Sequence, residues 1–531
     1  MANKSFFWLF GSGILAAGLM AGQASAAPPP PAIDNSVSPP EMVGVPIPPG
    51  QIDKAVAQLD GLIAQIMQKT GIPGLAVAVV HNGQTVYAKG FGVRRVGSPD
   101  KVDADTVFQL ASLSKAVGAT VIAREVGQHV VTWNTPIVKH LPWFALGDPW
   151  VTQHVTIGDM YAHRSGLPDH AGDELEDLGY TQRQVLDRLR YLPLASFRDT
   201  YAYTNFGITA AAEAVAAASG KDWATLSDDA IYRPLGMNVT SSRFADFEKR
   251  PDKAVGHVLV DGVYAAKYQR QPDAQSPAGG VSSSVNDMAH WMAMVMQDGV
   301  YDAKPVIDPD ALLPAVTGEI VAAHSASVTA RPGLYGYGFN VGTQPSGRTT
   351  ISHSGAFALG AATSFMIIPS AGIGIVTLSN ASPIGAVEAL NAMFADLVQF
   401  GYVSRDWLHD YGRVIAPLMA PQGTLAGKTP PANPAPAKPL ADYVGDYGND
   451  YFGTAHIVQR GGALVLVLGP KSMDFPLRHW DGDIFAYTPS GENAPAGSIG
   501  KVQFTSGPTG KASALDIDLY AETGRNHFLR R

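Results

Sequence analysis

The chain contains no cysteine. That excludes disulfides, thiol nucleophiles, Cys-type zinc sites, iron–sulfur clusters and a lipid-modified N-terminal cysteine. It does not assign a compartment, since exported proteins can also lack cysteine. Charge is scarce as well: 16% of residues are charged, and the formal net charge is −8. No basic run of five or more residues occurs. Binding to phosphate backbones needs clustered Lys and Arg, so nucleic acid is excluded as a partner. Beyond the N-terminus no apolar stretch reaches 18 uninterrupted residues, so no stable membrane span is expected in the mature chain. The histidines show no H-E-x-x-H spacing, so no zinc centre is expected. There is no fixed-period repeat.

What is present is length and apolar content. The chain has 531 residues, 46% of them hydrophobic, enough for two or three domains with large cores. Residues 1–26 read as a cleaved signal peptide. Lys4 supplies the positive charge, Phe6 to Met20 form an apolar stretch, and Ala24-Ser25-Ala26 is a cleavage site. The expected location is therefore periplasmic or secreted. A Pro-rich tether follows at 27–49, and a second Pro-rich stretch at 421–439 reads as a linker. They delimit blocks of 50–420 and 440–531.

The large block opens with a helix pattern through Ile52, Val56, Leu59, Leu62, Ile63 and Ile66. A buried strand, Leu75–Val80, turns at His81-Asn82-Gly83 into Thr85–Ala88. Residues from about 105 to 300 are mainly helical, including Ala111–Val126 and Thr209–Ala218. Strands return at Thr349–His353, Ala361–Ile368 and Gly374–Ser379, followed by a helix at Ala386–Phe400. This order predicts an α+β fold: an antiparallel sheet assembled from both chain ends, with an inserted helical lobe. The small block alternates through Val444–Tyr451, Ala455–Gln459, Leu464–Leu468, Asp483–Tyr487 and Ala514–Tyr520, a pattern for a small all-β barrel or sandwich.

Three short motifs carry chemistry: S-x-x-K, Y-x-N and H-x-G. Each recurs, so context must choose. S-x-x-K occurs at Ser98–Lys101, Ser112–Lys115 and Ser498–Lys501, but only Ser112 begins a strong helix. Residues i and i+3 of a helix share a face, so the Lys115 amine can reach the Ser112 hydroxyl. Serine needs a base to become a nucleophile, and a buried lysine with a lowered pKa can be one. Y-x-N occurs at Tyr203–Asn205 and Tyr447–Asn449. Tyr203 beside a lysine loses its proton more easily and can act as general base and acid, with Tyr201 as a near neighbour. Asn205 offers a donor and an acceptor to a substrate amide. H-x-G occurs at His81–Gly83, His170–Gly172 and His353–Gly355. In the last, Gly355 lets a substrate approach the backbone, the Ala356 N–H is a candidate oxyanion donor, Ser354 is a candidate substrate contact, and His353 can orient Tyr203 or protonate a leaving group.

Taken together and in this order, Ser112–Lys115, Tyr203–Asn205 and His353–Gly355 resemble the serine β-lactamase/penicillin-binding-protein-like family, in its class C and D-aminopeptidase/D,D-peptidase branch. Supporting segments are His163-Arg-Ser-Gly-Leu-Pro-Asp169, Arg233-Pro-Leu-Gly-Met237, Pro277-Ala-Gly-Gly-Val-Ser-Ser283 and Tyr335-Gly-Tyr-Gly-Phe339. The resemblance covers about 50–400. The small block is similar to the lipocalin-like barrels appended to such hydrolases. The resemblance implies a β-lactamase/transpeptidase-like sheet and an acyl-enzyme on Ser112. It further implies proton handling by Lys115 and Tyr203, an oxyanion site at the Ser112 and Ala356 N–H groups, and no metal or organic cofactor.

One departure matters. Class C β-lactamases carry Lys-Thr-Gly at the third motif, and here it is His-Ser-Gly; a neutral histidine supplies no fixed charge to a substrate carboxylate. That favours a peptidase or amidase acting on small or linear peptides, possibly with D- or unusual residues. Linearised cyclic peptides such as microcystin are one option. A carboxylesterase or weak class C-type β-lactamase uses the same residues. A non-catalytic peptide- or peptidoglycan-binding protein is the reading from another class. The sequence leaves the oligomeric state open.

Overall fold

The computed structural model describes residues 38–531. The expected signal peptide and the tether up to residue 37 lie outside the described residues. An eight-stranded antiparallel sheet is built from both ends of the large block. Helix α1 (Leu59–Thr70) precedes strands β1 (Gly74–His81) and β2 (Gln84–Gly92). Strands β3 (Ile320–Ala323), β4 (Gly333–Tyr335), β5 (Asn340–Thr343), β6 (Thr349–Phe357), β7 (Ala361–Ile368) and β8 (Ile373–Ser379) come some 230 residues later. The order across the sheet is β2-β1-β8-β7-β6-β5-β4-β3.

Strand alternation explains why β1 is apolar throughout. Leu75, Val77 and Val79 pack on α1 and on the late helix at Ala386–Phe400, against Ile63, Ile66, Leu390 and Val398. Ala76, Ala78 and Val80 face the helical lobe instead. The β1–β2 turn places Asn82 and Gly83 at φ 50° and 76°, the left-handed pair that a tight hairpin turn requires.

The inserted lobe carries α2 (Leu113–Gly127), α3 (Asp173–Asp177) and α4 (Asn205–Ser219). Twelve of the fifteen α2 residues are buried, so this helix runs through the core. At the motifs, three elements differ from expectation. The α2 helix begins after Ser112, because Ala111 sits at φ 48° and breaks the helical path. The α4 helix begins at Asn205, four residues early, so Asn205 is in its first turn. Strand β6 extends through the His-Ser-Gly motif to Phe357.

The C-terminal region is a nine-stranded antiparallel sheet, coiled almost into a barrel. It comprises β9 (Gly445–Asn449), β10 (Gly453–Arg460), β11 (Ala463–Leu468), β12 (Met473–Pro476), β13 (Arg478–Asp481), β14 (Ile484–Tyr487), β15 (Gly500–Ser506), β16 (Ala512–Ile517) and β17 (His527–Arg530). The order is β12-β11-β10-β9-β17-β16-β15-β14-β13, so the two edge strands are neighbours in the chain, joined through Leu477.

The described part of the first Pro-rich stretch and the second stretch are pinned to the fold. Gly44 N donates to Ser346 O, and the Arg348 side chain donates to Val45 O at 2.8 Å. In the second stretch, Leu425 is buried against Trp480 and Ala486 of the barrel, and Thr424 donates its N–H and hydroxyl to Asp518. Among the described residues no helix is long and apolar enough to cross a membrane.

Candidate active site

Ser112 stands at the N-cap of α2 but makes no capping bond with its side chain. Its hydroxyl is used elsewhere. Lys115 Nζ lies 3.0 Å from Ser112 Oγ, and the Tyr203 hydroxyl donates to the same oxygen at 2.8 Å. The positive φ of Ala111 costs on the order of 1–3 kcal/mol and aims Ser112 out of the helix start.

Lys115 is fully buried. Besides Ser112, its amine contacts Asn205 Oδ1 at 2.7 Å and Ala278 O at 2.9 Å. The latter comes from the Pro277-Ala-Gly turn. The last two partners are acceptors only, whereas a serine hydroxyl also donates. A neutral amine donates twice and accepts once, so the Ser112 contact is the one able to reverse direction. Burial pushes Lys115 down to about 7, against the opposing pull of the Asp173 carboxylate. Gly338, with φ 80°, lets the Tyr335–Phe339 segment press on the lysine's own carbonyl, where a Cβ would stand 2.6 Å away.

Tyr203 is held by the loop from His163. His170 N donates to Tyr203 O at 2.7 Å, and Ala202 N donates to His163 O at 2.9 Å. The imidazole of His163 stacks 4.6 Å from the Tyr203 ring and accepts from Thr204 N on Nδ1. Burial raises the Tyr203 phenol above its ordinary value, and the Ser112 bond only partly offsets this. The structure therefore corrects the expectation that Lys115 makes this tyrosine easier to ionise: the free site holds a protonated phenol. Tyr201 packs on His163 and Tyr335.

Asn205 is also anchored within the protein. Its Oδ1 accepts from Lys115 while its Nδ2 donates to Asp173 Oδ2 at 2.9 Å. Both halves of the amide are engaged within the protein, so the residue supports the lysine, and Nδ2 keeps a second hydrogen for a substrate. Asp173 also holds His170 Nδ1 at 2.8 Å. It was hidden in the acidic run Asp173-Glu-Leu-Glu-Asp177, which reads as a solvated helix start.

Strand β6 forms the opposite wall. Its pairing with β5 ends at Ser352, so one edge of 353–357 carries no neighbouring strand. Gly355 lies against the nucleophile's backbone: a Cβ there would stand 2.4 Å from Leu110 O and 2.9 Å from Ser112 N. Ala356 follows it along the strand. His353 joins the cluster by its ring, 6.5 Å from that of Tyr203. Its nitrogens are taken, Nδ1 by Ser354 O at 2.7 Å and Nε2 by the Tyr335 hydroxyl at 3.0 Å. Burial, aided by the Lys115 charge, pushes His353 down to about 3, so it is neutral. Neither nitrogen touches Tyr203; of the two roles expected for His353, this arrangement fits positioning through ring packing better than proton donation. Ser354 points the other way along the pleat and donates to Ser364 Oγ at 3.4 Å; its side chain is not brought to Ser112.

Of the competing motif copies, the H-x-G at His170–Gly172 lies in the site itself, with the His170 ring 5.6 Å from that of Tyr203, while both other S-x-x-K copies and the second Y-x-N copy have their polar groups bonded locally. Ser98 donates to Asp100, Ser498 to Pro495 O, and Tyr447 to Tyr443 O.

The barrel reaches this site, which the sequence did not signal. Glu492, on the loop after β14, accepts from the N–H groups of Ala358 and Leu359 in the β6–β7 turn. Its own N–H and that of Asn493 donate to Asp177 at 3.0 and 2.9 Å, and Asn493 Nδ2 donates to Asp173 O at 3.2 Å. Tyr180 donates to Phe452 O at 2.7 Å. Burial drives Glu492 up to about 8, opposed by Arg270. Among the described residues no group of three His, Asp or Glu side chains has a metal-holding arrangement.

A serine hydroxyl shared by a buried lysine and a tyrosine, beside an open strand edge, defines a serine hydrolase on a β-lactamase/transpeptidase-like fold. Residues 59–400 match the β-lactamase family model, more than half of the chain, and the chain belongs to that family. Residues 429–527 match a domain of unknown function. An unguisins hydrolase, ungD, of Aspergillus violaceofuscus is 29% identical over 426 residues, 73% of this chain and 74% of the relative. The D-alanyl-D-alanine-carboxypeptidase/endopeptidase AmpH of Escherichia coli K12 is 25% identical over 345 residues, 64% of this chain and 88% of AmpH. The octameric penicillin-binding protein homologue of Pyrococcus abyssi shares the fold, at 19% identity and a TM-score of 0.57, over 90% of this chain and 100% of that one.

Proposed function

We propose that the protein is an exported peptidase or amidase that cleaves small or linear peptides, including ones with D-residues, through an acyl-enzyme on Ser112. The observation that carries this reading is the single Ser112 oxygen held at 3.0 Å from Lys115 Nζ and 2.8 Å from Tyr203 Oη. Neutral Lys115 takes the Ser112 proton as Oγ attacks the carbonyl carbon. The Ser112 and Ala356 N–H groups receive the oxyanion. Tyr203 gives its proton to the leaving amine and is reprotonated through Lys115. In deacylation, water loses a proton to the same pair and releases the acid. Export is supported by the N-terminal stretch Phe6–Met20 and its Ala24-Ser25-Ala26 site. The peptide class is supported by the similarity to AmpH, named as a carboxypeptidase/endopeptidase.

A neutral His353 leaves the third motif without a fixed cation for a β-lactam carboxylate. A hydrogen bond to a charged group contributes about 1.5–3 kcal/mol, so cephalosporin turnover is expected to be roughly 10- to 100-fold below that of a D-alanyl anilide, which has no carboxylate to place. Comparing kcat/KM on a D-alanyl anilide, a small ester and a cephalosporin tests the reading. A cephalosporin as the best substrate would overturn it.

The lysine also sets a pH dependence. Below about 7 Lys115 is an ammonium and cannot accept the Ser112 proton; above it the amine is free. Acylation by a non-titrating substrate is therefore expected to rise with pH through about 7 to a plateau. Asp173 holds that value up, so Asp173→Asn is expected to move the inflection to lower pH. A profile flat from pH 5 to 9 would remove Lys115 as the base.

A further inference from the structure

We propose that a cavity beside the β6–β7 turn is an acyl-side subsite for anionic groups, a specificity that rests on the acyl-enzyme reading above. The cavity encloses about 350 Å³, the size of a small-ligand site. It adjoins the reaction centre through two lining residues. Gln109 is three residues before Ser112, and Phe357 directly follows Ala356. A peptide laid antiparallel along the open edge of β6 points its leaving group toward His353 and its N-terminal, acyl side toward Phe357 and this cavity.

The lining is one-signed. Arg95, Lys253, Lys267 and Arg270 contribute to it, and no Asp or Glu does. The four cations are not equivalent. Arg270 is buried and paired with Glu176 at 2.6 Å, with Glu492 3.8 Å away. It serves as a fixed wall, with its guanidinium 5.2 Å from the Phe357 ring centre. Lys253 donates to the backbone carbonyls of Glu248 and Arg250 at 2.6 and 3.1 Å, which orient it without cancelling its charge. Lys267 lies 5.2 Å over the Tyr268 ring. Arg95 is exposed. Among the described residues none of Arg95, Lys253 and Lys267 has a carboxylate within 4.0 Å. The nearby acids are otherwise engaged: Glu248 accepts from Gln269, and Asp252 pairs with Arg94. Three cations without a carboxylate partner, in a pocket whose other polar lining is the neutral Gln109, Tyr268 and Gln269, favour a peptide carrying Asp, Glu or another anion a residue or two upstream of the cleaved bond.

The test uses the full-length protein and three peptides that share one D-alanine p-nitroanilide bond and carry Glu, Gln or Lys two residues upstream. Each is assayed as a substrate and as a competitive inhibitor of p-nitrophenyl acetate hydrolysis, so the order is read whether or not cleavage is fast. At low salt we expect Glu above Gln above Lys, with Glu over Lys by roughly ten-fold, the scale of a few exposed charge pairs. The ratio is expected to shrink toward one at high salt, and Arg95→Glu with Lys267→Glu is expected to invert it. Equal values for Glu and Lys in the wild type, or an unaltered ratio in the double variant, overturns the subsite while ester hydrolysis at Ser112 leaves the hydrolase reading standing. If neither the ester nor any peptide acylates Ser112, the hydrolase reading and the subsite fall together.

Discussion

Ser112→Ala is expected to lower kcat by roughly 10⁴ to 10⁶, the scale of nucleophile deletions in other serine hydrolases. The same change is expected to abolish covalent labelling by a fluorophosphonate, read by mass spectrometry of the digested protein. The reason lies in how few alternatives the site offers. Among the described residues, the other serines in S-x-x-K spacing are bonded to Asp100 and to Pro495 O. Lys115→Met and Tyr203→Phe are expected to be severe and not additive with Ser112→Ala, because all three act on one oxygen and one proton. Once the hydroxyl is gone, the base and the acid have nothing to serve. Near-normal turnover by Ser112→Ala, or an adduct that persists in it, would remove the assignment and leave the peptide-binding protein as the reading to pursue.

The reacting atoms were more legible in the sequence than their supports, and the reason is physical. Ser112, Lys115 and Tyr203 sit in short motifs whose spacing follows from helix and loop geometry. The supports come from far along the chain. Ala278, Tyr335 and Asp173 meet Lys115, His353 and Asn205 only after the lobe folds, and no local period marks such pairings. The internal partners of Asn205 and His353 were hidden for the same reason: their residue types suit contact with a substrate, and only the fold shows that Lys115, Asp173 and Tyr335 also hold them. In the fold, the apolar strands and the buried helices were visible, as at Leu75–Val80 and Ala361–Ile368. Of the barrel strands, Met473–Pro476, Arg478–Asp481, Gly500–Ser506 and His527–Arg530 were not; the first two are four residues long, polar on one face and split by a single leucine. The reach of Glu492 into the β6–β7 turn had no sequence signal at all. One acidic residue in a Gly- and Pro-rich loop looks solvated until Ala358 and Leu359 are seen beside it.

Gly355→Ala is expected to lower kcat by roughly 10² to 10³ while Ser112, Lys115 and Tyr203 all remain in place. The glycine lies where strand β6 meets the segment that delivers the nucleophile. An added Cβ would stand 2.3 Å from Thr363 Oγ1, 2.4 Å from Leu110 O and 2.9 Å from Ser112 N. None of these neighbours can yield cheaply. Thr363 already donates its hydroxyl to Leu110 O at 2.7 Å, clipping β7 to the residues before Ser112. The other two are backbone atoms. The strand itself must move, and it carries the Ala356 N–H, one of the two donors assigned to the oxyanion. A displacement of about 1 Å is enough to cost two orders of magnitude in a site that depends on fixed donors. Overpacking of this kind costs about 1–3 kcal/mol of stability, so the variant is expected to fold and to melt a few degrees lower. Labelling of Ser112 by fluorophosphonate is expected to slow in parallel with kcat, because phosphonylation develops charge on the same oxygen position. A variant that keeps wild-type kcat would mean that β6 does not form the oxyanion wall. A variant that loses turnover but labels at the wild-type rate would place the damage in leaving-group departure, on the Tyr203 side of the cleft.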